Sequence, residues 1–361
     1  MTKRAAVIGA GIFGNSIAAE LSKSMDVVLF EKEAEIMTKA SGKNHFRHHY
    51  GYHYPRSQDT AKESIAGRES FEREYGICIL PPFPNFYSVV REGSFVSPDE
   101  YLRFCDSVEL PHPIVSPDPE LINPSRVALT IQVPERGYDP IILKEICQKK
   151  LTSSGVDLRL GSEVVGGNIS GSKELVIRNE QKEYEIGFDF IVEATYANTN
   201  TVKKRIGLPV SKRQYELLEL LKVRIPHTPF GVINMDGPFT SIMPLGYDGA
   251  FTTATIAHTT ESVLERRVTN HFDDDVCSFG ELRTNKERIM QESTKDFPIL
   301  RLAEFLESIY ITKIVRAHVN KTDERPTEVV DHGNGVYSVF AGKIVTSVDT
   351  AKRIADMINQ K

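Results

Sequence analysis

Apolar runs of strand length alternate along this chain with stretches whose apolar residues recur at helical spacing. The run Arg4-Ala-Ala-Val-Ile-Gly9 ends in glycine, and Ile12, Ile17, Ala18 and Leu21 then fall near one face of a helix over Ile12–Lys23. Val27–Phe30 is a second apolar run, closed by Glu31. Strand, glycine turn, helix and strand in this order predict a βαβ unit with parallel strands. Ser57–Tyr75 reads as a mostly polar helix with Ala61, Ile65 and Phe71 turned inward and Gly76 just beyond its end.

Prolines cluster at Pro81, Pro82 and Pro84, and again from Pro111 to Pro134. Between the clusters, Ser97-Pro98-Asp99-Glu100 offers an N-cap, a proline at the first helical position and a glutamate three residues after the cap. A short helix through Cys105 is expected there. Asp139-Pro140 starts a further helix, Ile141–Thr152, which Gly155 stops. Short alternating strands follow at Val156–Leu160, Glu163–Ile169, Leu175–Arg178 and Tyr184–Ile186. Asp189-Phe-Ile-Val-Glu-Ala194 is almost continuously apolar, which suits a strand covered on both faces.

Over 206–324 the pattern changes: strand-like runs at Ser241–Met243 and Gly249–Ile256 alternate with helical candidates at Glu261–Thr269 and Leu300–Ser308. Strand Val336–Phe340, turn Ala341-Gly342-Lys343 and helix Asp349–Ile358 then return to the earlier style. An α/β fold of two domains built from interleaved segments is expected. One domain combines 1–80, 140–205 and 325–361 around a central parallel sheet of Rossmann type. The other combines 81–139 and 206–324 around a mixed, largely antiparallel sheet. The length of 361 residues agrees with two domains.

Composition narrows the function classes. Apolar residues at 40% and charged residues at 26% exclude wholesale disorder. A net charge of -5 gives no basic footprint for nucleic acid. Cys78, Cys105, Cys147 and Cys277 stand far apart without a C-x-x-C, so reduced thiols in a cytoplasmic protein are expected. No run approaches the ~20 apolar residues of a membrane span, so no transmembrane segment is expected. The start of the chain reads as the first strand rather than a signal peptide.

Gly9-Ala10-Gly11-Ile12-Phe13-Gly14 fits G-x-G-x-x-G, following a strand and opening a helix. The first glycine permits the turn, the second lets a pyrophosphate approach the backbone, and the third lets helix and strand pack closely. Phosphate would sit at the positive end of the helix. Glu31 ends the next strand, where an acidic residue accepts from ribose hydroxyls and disfavours a 2′-phosphate. A bound dinucleotide is expected; a glycine-rich turn beside a surface glutamate is the plain alternative.

A second segment, Ala40-Ser41-Gly42-Lys43-Asn44, leads into His45-Phe-Arg-His48-His49-Tyr50-Gly51-Tyr52-His53-Tyr54-Pro55. Here the chain resembles the glycine/D-amino-acid oxidase superfamily of FAD-dependent oxidoreductases, and most of all its L-2-hydroxyglutarate and glycerol-3-phosphate dehydrogenase branches. His49, Gly51, Tyr54 and Pro55 match a family segment that faces the isoalloxazine. Glu193-Ala194-Thr195 and Gly335-Val-Tyr-Ser-Val-Phe-Ala-Gly342-Lys343-Ile-Val-Thr346 are similar to strand-end segments against the cofactor. The resemblance implies FAD held by Gly9, Gly11, Ile12, Phe13, Gly14 and Glu31 with Lys32 beside it. It adds Ser41, Lys43 and Asn44, then Val164, Ala194 and Thr195, and finally Gly342, Lys343 and Ile344. Gly342 and Lys343 would supply N–H donors and positive charge to the flavin edge that gains charge on reduction; an exposed turn lysine is the alternative.

His45, His48, His49 and His53 admit three readings: packing, a metal site, or contact with flavin or substrate. Cysteines or a suitably spaced carboxylate, the usual further zinc ligands, are missing nearby, and no metal is expected. Asp273-Asp274-Asp275 lacks the spacing of a calcium loop, and Arg266-Arg267 reads as a solvated face. Arg316, in Lys313-Ile-Val-Arg316-Ala-His318, matches a family strand that presents an arginine to a substrate carboxylate; a cross-strand ion pair is the alternative. The expected activity is hydride transfer to flavin N5 from a C–H bond next to a hydroxyl or amine of a small, anionic substrate, with His49 as base and Arg316 as clamp. The partners are that substrate and an electron acceptor the sequence leaves open. A flavin-dependent sugar isomerase or mutase, an NAD-dependent dehydrogenase and a non-catalytic flavin-binding regulator are the alternatives.

Overall fold

In a computed structural model describing residues 2–171, 173–180, 182–237, 239–258, 283–317 and 322–360, Arg4–Ile8 lies at the centre of a six-stranded sheet. It pairs in parallel with Asp26–Phe30 on one side and Phe190–Glu193 on the other. Asp157–Arg159 extends the sheet beyond Asp26–Phe30, and Val336–Phe340 extends it beyond Phe190–Glu193, both in parallel. Glu328–Asp331 closes that second edge antiparallel.

Alternation along these strands splits the core into two layers. Ala5, Val7, Leu29, Val192 and Val339 face helices Ile12–Leu21, Pro140–Ser153 and Ser347–Asn359. Ala6, Ile8, Val28, Phe30 and Ile191 face the opposite way, onto a three-stranded antiparallel sheet through Val164, Leu175 and Ile177. Coverage on both faces explains why the sequence shows continuous apolar runs here.

The second large sheet has seven strands: Glu304–Arg316, Arg213–Ile225, Thr252–His258, Thr240–Tyr247, Gly231–Met235, Asn85–Val90 and Val127–Gln132, in that spatial order. Only Gly231–Met235 and Asn85–Val90 pair in parallel, so the sheet is mixed and largely antiparallel. Its outer face, with Leu221, Val223, Ile242 and Ile256, packs under helix Lys286–Asp296 through Ile289 and Phe297.

The expected caps are present. Ser97 and Glu100 form the reciprocal capping box of helix Pro98–Ser107, and Asp139 accepts from Ile141 and Ile142 N–H. One expectation is corrected: Leu300–Ser308 is not a helix. Pro298–Leu302 makes one short 3-10 turn, and Glu304–Arg316 is a 13-residue strand paired along Arg213–Ile225. Its β-branched residues Ile309, Ile311, Thr312, Ile314 and Val315 fit a pleated surface better than a helix, and the long pairing overrides the local spacing. The expected helix Glu261–Thr269, with Arg266-Arg267, and also Asp273-Asp274-Asp275, Cys277 and His318, lie outside the described residues.

The first helix sits directly on the glycine turn. Gly9 has φ +98°, and a Cβ on Gly14 would lie 1.7 Å from the Gly9 carbonyl oxygen. Gly14→Ala should therefore lift Ile12–Leu21 from the sheet and destabilise the protein by about 3 kcal/mol or more. A urea midpoint equal to the parent's would show that the contact does not carry that load.

Candidate active site

A cavity of about 1210 Å³ runs from the glycine turn, past residues 37–56, to the inner face of the seven-stranded sheet. At one end the turn and the start of the helix form a cradle. The first turn of any helix leaves N–H groups without intrahelical partners; here Ile12 N–H is met by Ser41 Oγ at 3.0 Å. Glu31 closes the next strand with its carboxylate accepting from Ala10 N–H at 2.7 Å and Glu33 N–H at 3.0 Å. Each oxygen keeps lone-pair capacity toward the cavity that Glu31 lines.

Gly9, Gly11, Ile12, Phe13, Lys32, Ser41, Lys43, Asn44, Val164, Ala194, Thr195, Gly342, Lys343 and Ile344 all line the same cavity. Gly14 does not; its place is the helix–turn contact. Asn44 staples its own loop, donating to Ala40 O at 2.9 Å and to Tyr138 Oη at 2.7 Å. The Gly342 N–H is donated to Thr327 Oγ1 at 3.2 Å, so that donor already has a protein partner. Thr195 donates N–H to the fully buried Glu193 carboxylate at 2.8 Å.

The histidines separate into different environments. His48 is fully buried, stacked on Phe71 with centroids 5.6 Å apart and edge-on to Tyr50, and belongs to the packing. Its Nδ1 lies 3.7 Å from Glu72, inside ion-pair range, but burial holds the ring neutral by lowering its pKa to about 3. His45 bridges two strands, with Nδ1 2.9 Å from Thr255 Oγ1 and Nε2 2.9 Å from Ser241 Oγ. His49 and His53 face the cavity. Burial, followed by the charges of Lys343 and Arg47, keeps His49 far below the usual histidine range; for His53, Arg47 adds more than Lys343. Among the described residues no group of three or more His, Cys, Asp or Glu is placed to hold a metal.

Arg316 reaches the cavity wall, but its Nε donates to Glu328 at 2.6 Å and its Nη1 to Glu324 at 3.3 Å. Arg213, opposite Arg316 in the strand pair, grips the same Glu328 with two N–H groups. This is the ion-pair arrangement that the sequence left open as the alternative. Three more cations at the wall are also paired, Arg56 with Asp236, Lys313 with Glu216 and Arg325 with Asp323, while Lys32 and Lys43 are exposed.

Arg47 and Lys343 differ. Among the described residues neither makes an ion pair. Arg47 Nη1 lies 3.2 Å from Tyr87 Oη and 3.4 Å from His53 Nδ1, and its Nε is buried without a partner. The Tyr87 O–H donates in turn to Glu135 at 2.7 Å, a fully buried carboxylate that also accepts from Tyr50 N–H. Lys343 Nζ stands 4.3 Å from the Tyr54 ring centroid, and burial together with Arg47 pushes its pKa well below the usual lysine range. Sequence reasoning missed Arg47, although it stands inside the histidine-rich segment. The available signal was one arginine in a run otherwise made of aromatic rings and imidazoles.

The DAO family of FAD dependent oxidoreductases matches residues 4–299. The chain belongs to that family. It is 27% identical, over 98% of its own length and 91% of the relative's, to the FAD-dependent monooxygenase FPY4 of Fusarium mangiferae. Its fold is similar to glycine oxidase from Geobacillus kaustophilus, at TM-score 0.76 and 16% identity, covering all of this chain and 96% of that one. L-alpha-glycerophosphate oxidase from Mycoplasma pneumoniae, whose structure contains FAD, gives TM-score 0.76 at 14% identity with the same coverage. The protein is thus an FAD-dependent enzyme. The residues fit the cofactor: a glycine turn open to a pyrophosphate, a carboxylate at the ribose position, and two cations without carboxylate partners further along. Among the described residues no helix is long and apolar enough to cross a membrane.

Two outcomes follow from this geometry. Glu31→Gln should weaken FAD retention by roughly 10- to 100-fold, as expected for a lost charge-assisted hydrogen bond, measured by flavin release on dilution; unchanged retention would exclude the ribose contact. The second concerns acid. The folded protein excludes from His48 a proton that the unfolded chain takes up below about pH 6.5. Its contribution to stability is complete above that pH and declines toward about pH 3, by about 1.4 kcal/mol per pH unit. His48→Phe should flatten the acid limb of a stability curve from denaturant unfolding, and an equally steep limb would show that His48 titrates normally.

Proposed function

We propose that this enzyme oxidises a small anionic substrate at a C–H bond next to a hydroxyl or amine. The observation that carries the reading is the pair Arg47 and Lys343, two cations at one cavity with no ion-pair partner among the described residues. When bound, FAD would supply the two-electron acceptor for a hydride. Arg47 grips the substrate anion with guanidinium N–H groups while Tyr87 and Glu135 hold it from behind. His49 is neutral and keeps a lone pair, so it accepts the proton that leaves the hydroxyl or amine. The proton thus has an acceptor on this chain separate from the one that FAD would offer the hydride, as oxidation to a carbonyl or imine requires. Arg316 serves in the Glu324–Glu328–Arg213 group that ties Glu304–Arg316 to Arg213–Ile225 and Glu328–Asp331. In this division of labour 1–80, 140–205 and 325–361 carry the cofactor and also supply Arg47 and His49 to the substrate, while 81–139 and 206–324 supply Tyr87, Glu135 and the rest of the substrate wall.

The near full-length similarity to the Fusarium monooxygenase favours a second reading, in which dioxygen is a co-substrate and a nicotinamide reduces the flavin. Anaerobic mixing separates the two. Bleaching of the flavin by a hydroxy or amino acid alone supports oxidation; bleaching by a nicotinamide only, with substrate-dependent oxygen uptake, supports monooxygenation.

Under the first reading Arg47→Lys should slow flavin reduction by about 100-fold, because lysine keeps the charge but loses the fork that orients the C–H bond. Arg316→Lys should change it by about threefold or less, as for a partly exposed ion pair. Stopped-flow bleaching with small hydroxy and amino acids compares the two. The reverse order of effects would move the clamp to Arg316, and a neutral best substrate would remove it altogether.

A further inference from the structure

We propose that the substrate carries, besides its anionic group, an apolar body of branched-chain or aromatic size, received by an apolar strip on the inner face of the seven-stranded sheet. The inference rests on the anionic-substrate reading above and extends it to the other end of the molecule.

The strip follows from strand register. Along Arg213–Ile225 the residues Glu216, Leu218 and Leu220 face the cavity, while Leu221, Val223 and Ile225 turn to the outer core. Leu218 stands directly opposite Ile311 on Glu304–Arg316, and Leu220 directly opposite Ala257 on Thr252–His258. Ala257 stands opposite Ser241, and Ser241 opposite Ile233. Directly paired residues share one face of a sheet with their Cβ atoms about 5 Å apart. Ile311, Leu218, Leu220, Ala257 and Ile233 therefore form a row that spans five strands, broken only on Thr240–Tyr247 by Ser241, and each lines the cavity. The hydroxyl of Ser241 that interrupts it is taken by His45 Nε2 at 2.9 Å.

The ends of the strip orient a ligand. Tyr87 is the register partner of Ile233 and accepts from Arg47, so the strip begins beside the anion clamp. One step beyond Leu218 and Ile311, Glu216 faces Lys313 at 3.2 Å, a closed ion pair that ends the apolar surface. Leu218 and Ile311 are only half-buried, leaving apolar surface open to the cavity. A two-carbon acid would leave this surface wet. A longer or branched body covers it, and each methylene so buried strengthens binding by roughly fourfold.

The test uses the FAD-loaded enzyme and unreactive ligands, so it does not depend on whether a hydroxyl or an amine is oxidised. Acetate, butyrate, 4-methylvalerate and phenylacetate, with the matching neutral amides, are titrated against the visible flavin spectrum. Affinity of the acids should rise roughly fourfold per added methylene. Leu218→Ser and Ile311→Ser should reduce that gain to less than about twofold, with Leu218→Ala as the milder replacement if the serine variant does not fold. Arg47→Lys should weaken all acids by a common factor and keep the gain per methylene. A flat series in the parent enzyme, or a gain unaltered in the Leu218 and Ile311 variants, overturns the proposal. Loss of FAD in those variants with the gain intact assigns the strip to the flavin and overturns it equally. Amides that bind as well as acids, with the gain retained, overturn the anionic reading while the strip stands; no binding by any acid overturns both.

Discussion

Two half-buried cations, Arg47 and Lys343, share one cavity without an ion-pair partner among the described residues, and the electrostatics of the site follow from that. Arg47 is held on a two-residue strand, Arg47–His48, paired with Arg136–Gly137, so it cannot drift toward solvent. Among the described residues its acidic support comes from the buried Glu135, by charge and through the Tyr87 hydroxyl. Burial raises the Glu135 pKa, while Arg47, Tyr50 N–H and Tyr87 favour its charged form. The support is thus partial, and the residual positive field acts on its neighbours. It adds to burial in keeping His49 and His53 neutral, and in weakening the hold of Lys343 on its proton.

The two sheets bring these charges together. The parallel sheet ends its central strands at Gly9, Glu31 and Ala194, so its carboxyl edge presents the turn and carboxylate that a dinucleotide requires. The seven-stranded sheet is buried on its outer face by helix Lys286–Asp296, which leaves its inner face to form the cavity wall. Residues 45–54 run between them, with Tyr52 and Tyr54 packed among side chains of the second sheet. His45 is fastened to that sheet by Thr255 and Ser241. The histidine segment is therefore fixed to the wall opposite the cofactor cradle.

How much of this was legible depended on the distance over which each feature is determined. The glycine turn, Glu31 and the caps at Ser97 and Asp139 are local constraints within a few residues or one βαβ unit, and the chain states them directly. Arg316 shows the opposite case. A lone arginine in a β-rich run suggests a ligand, yet its carboxylates arrive 8 and 12 residues later in a loop and an edge strand. Glu304–Ser308 reads locally as the end of a helix and joins a strand only because Arg213–Ile225 lies beside it. Arg47 was hidden for the same reason. Tyr87, 40 residues away, and Glu135, 88 residues away, give it a fixed place, and no local spacing announces either.

The same logic explains why one histidine segment yields different behaviours. His48 alternates with its neighbours onto the helix side, where its ring nitrogens have no hydrogen-bond partner among the described residues and burial, with the charges of Arg136 and Arg68, keeps it neutral. His49 and His53 fall on the cavity side, where the charges that add to burial are chiefly those of Arg47 and Lys343. An anion placed against Arg47 would cancel part of the field that suppresses protonation, so it would strengthen His49 as a base and return Lys343 toward its charged form. Substrate binding and proton acceptance are then coupled through the same two cations. A neutral ligand would lack that coupling however well it filled the cavity. Selectivity for an acid would thus rest on how the site responds to charge as well as on direct grip.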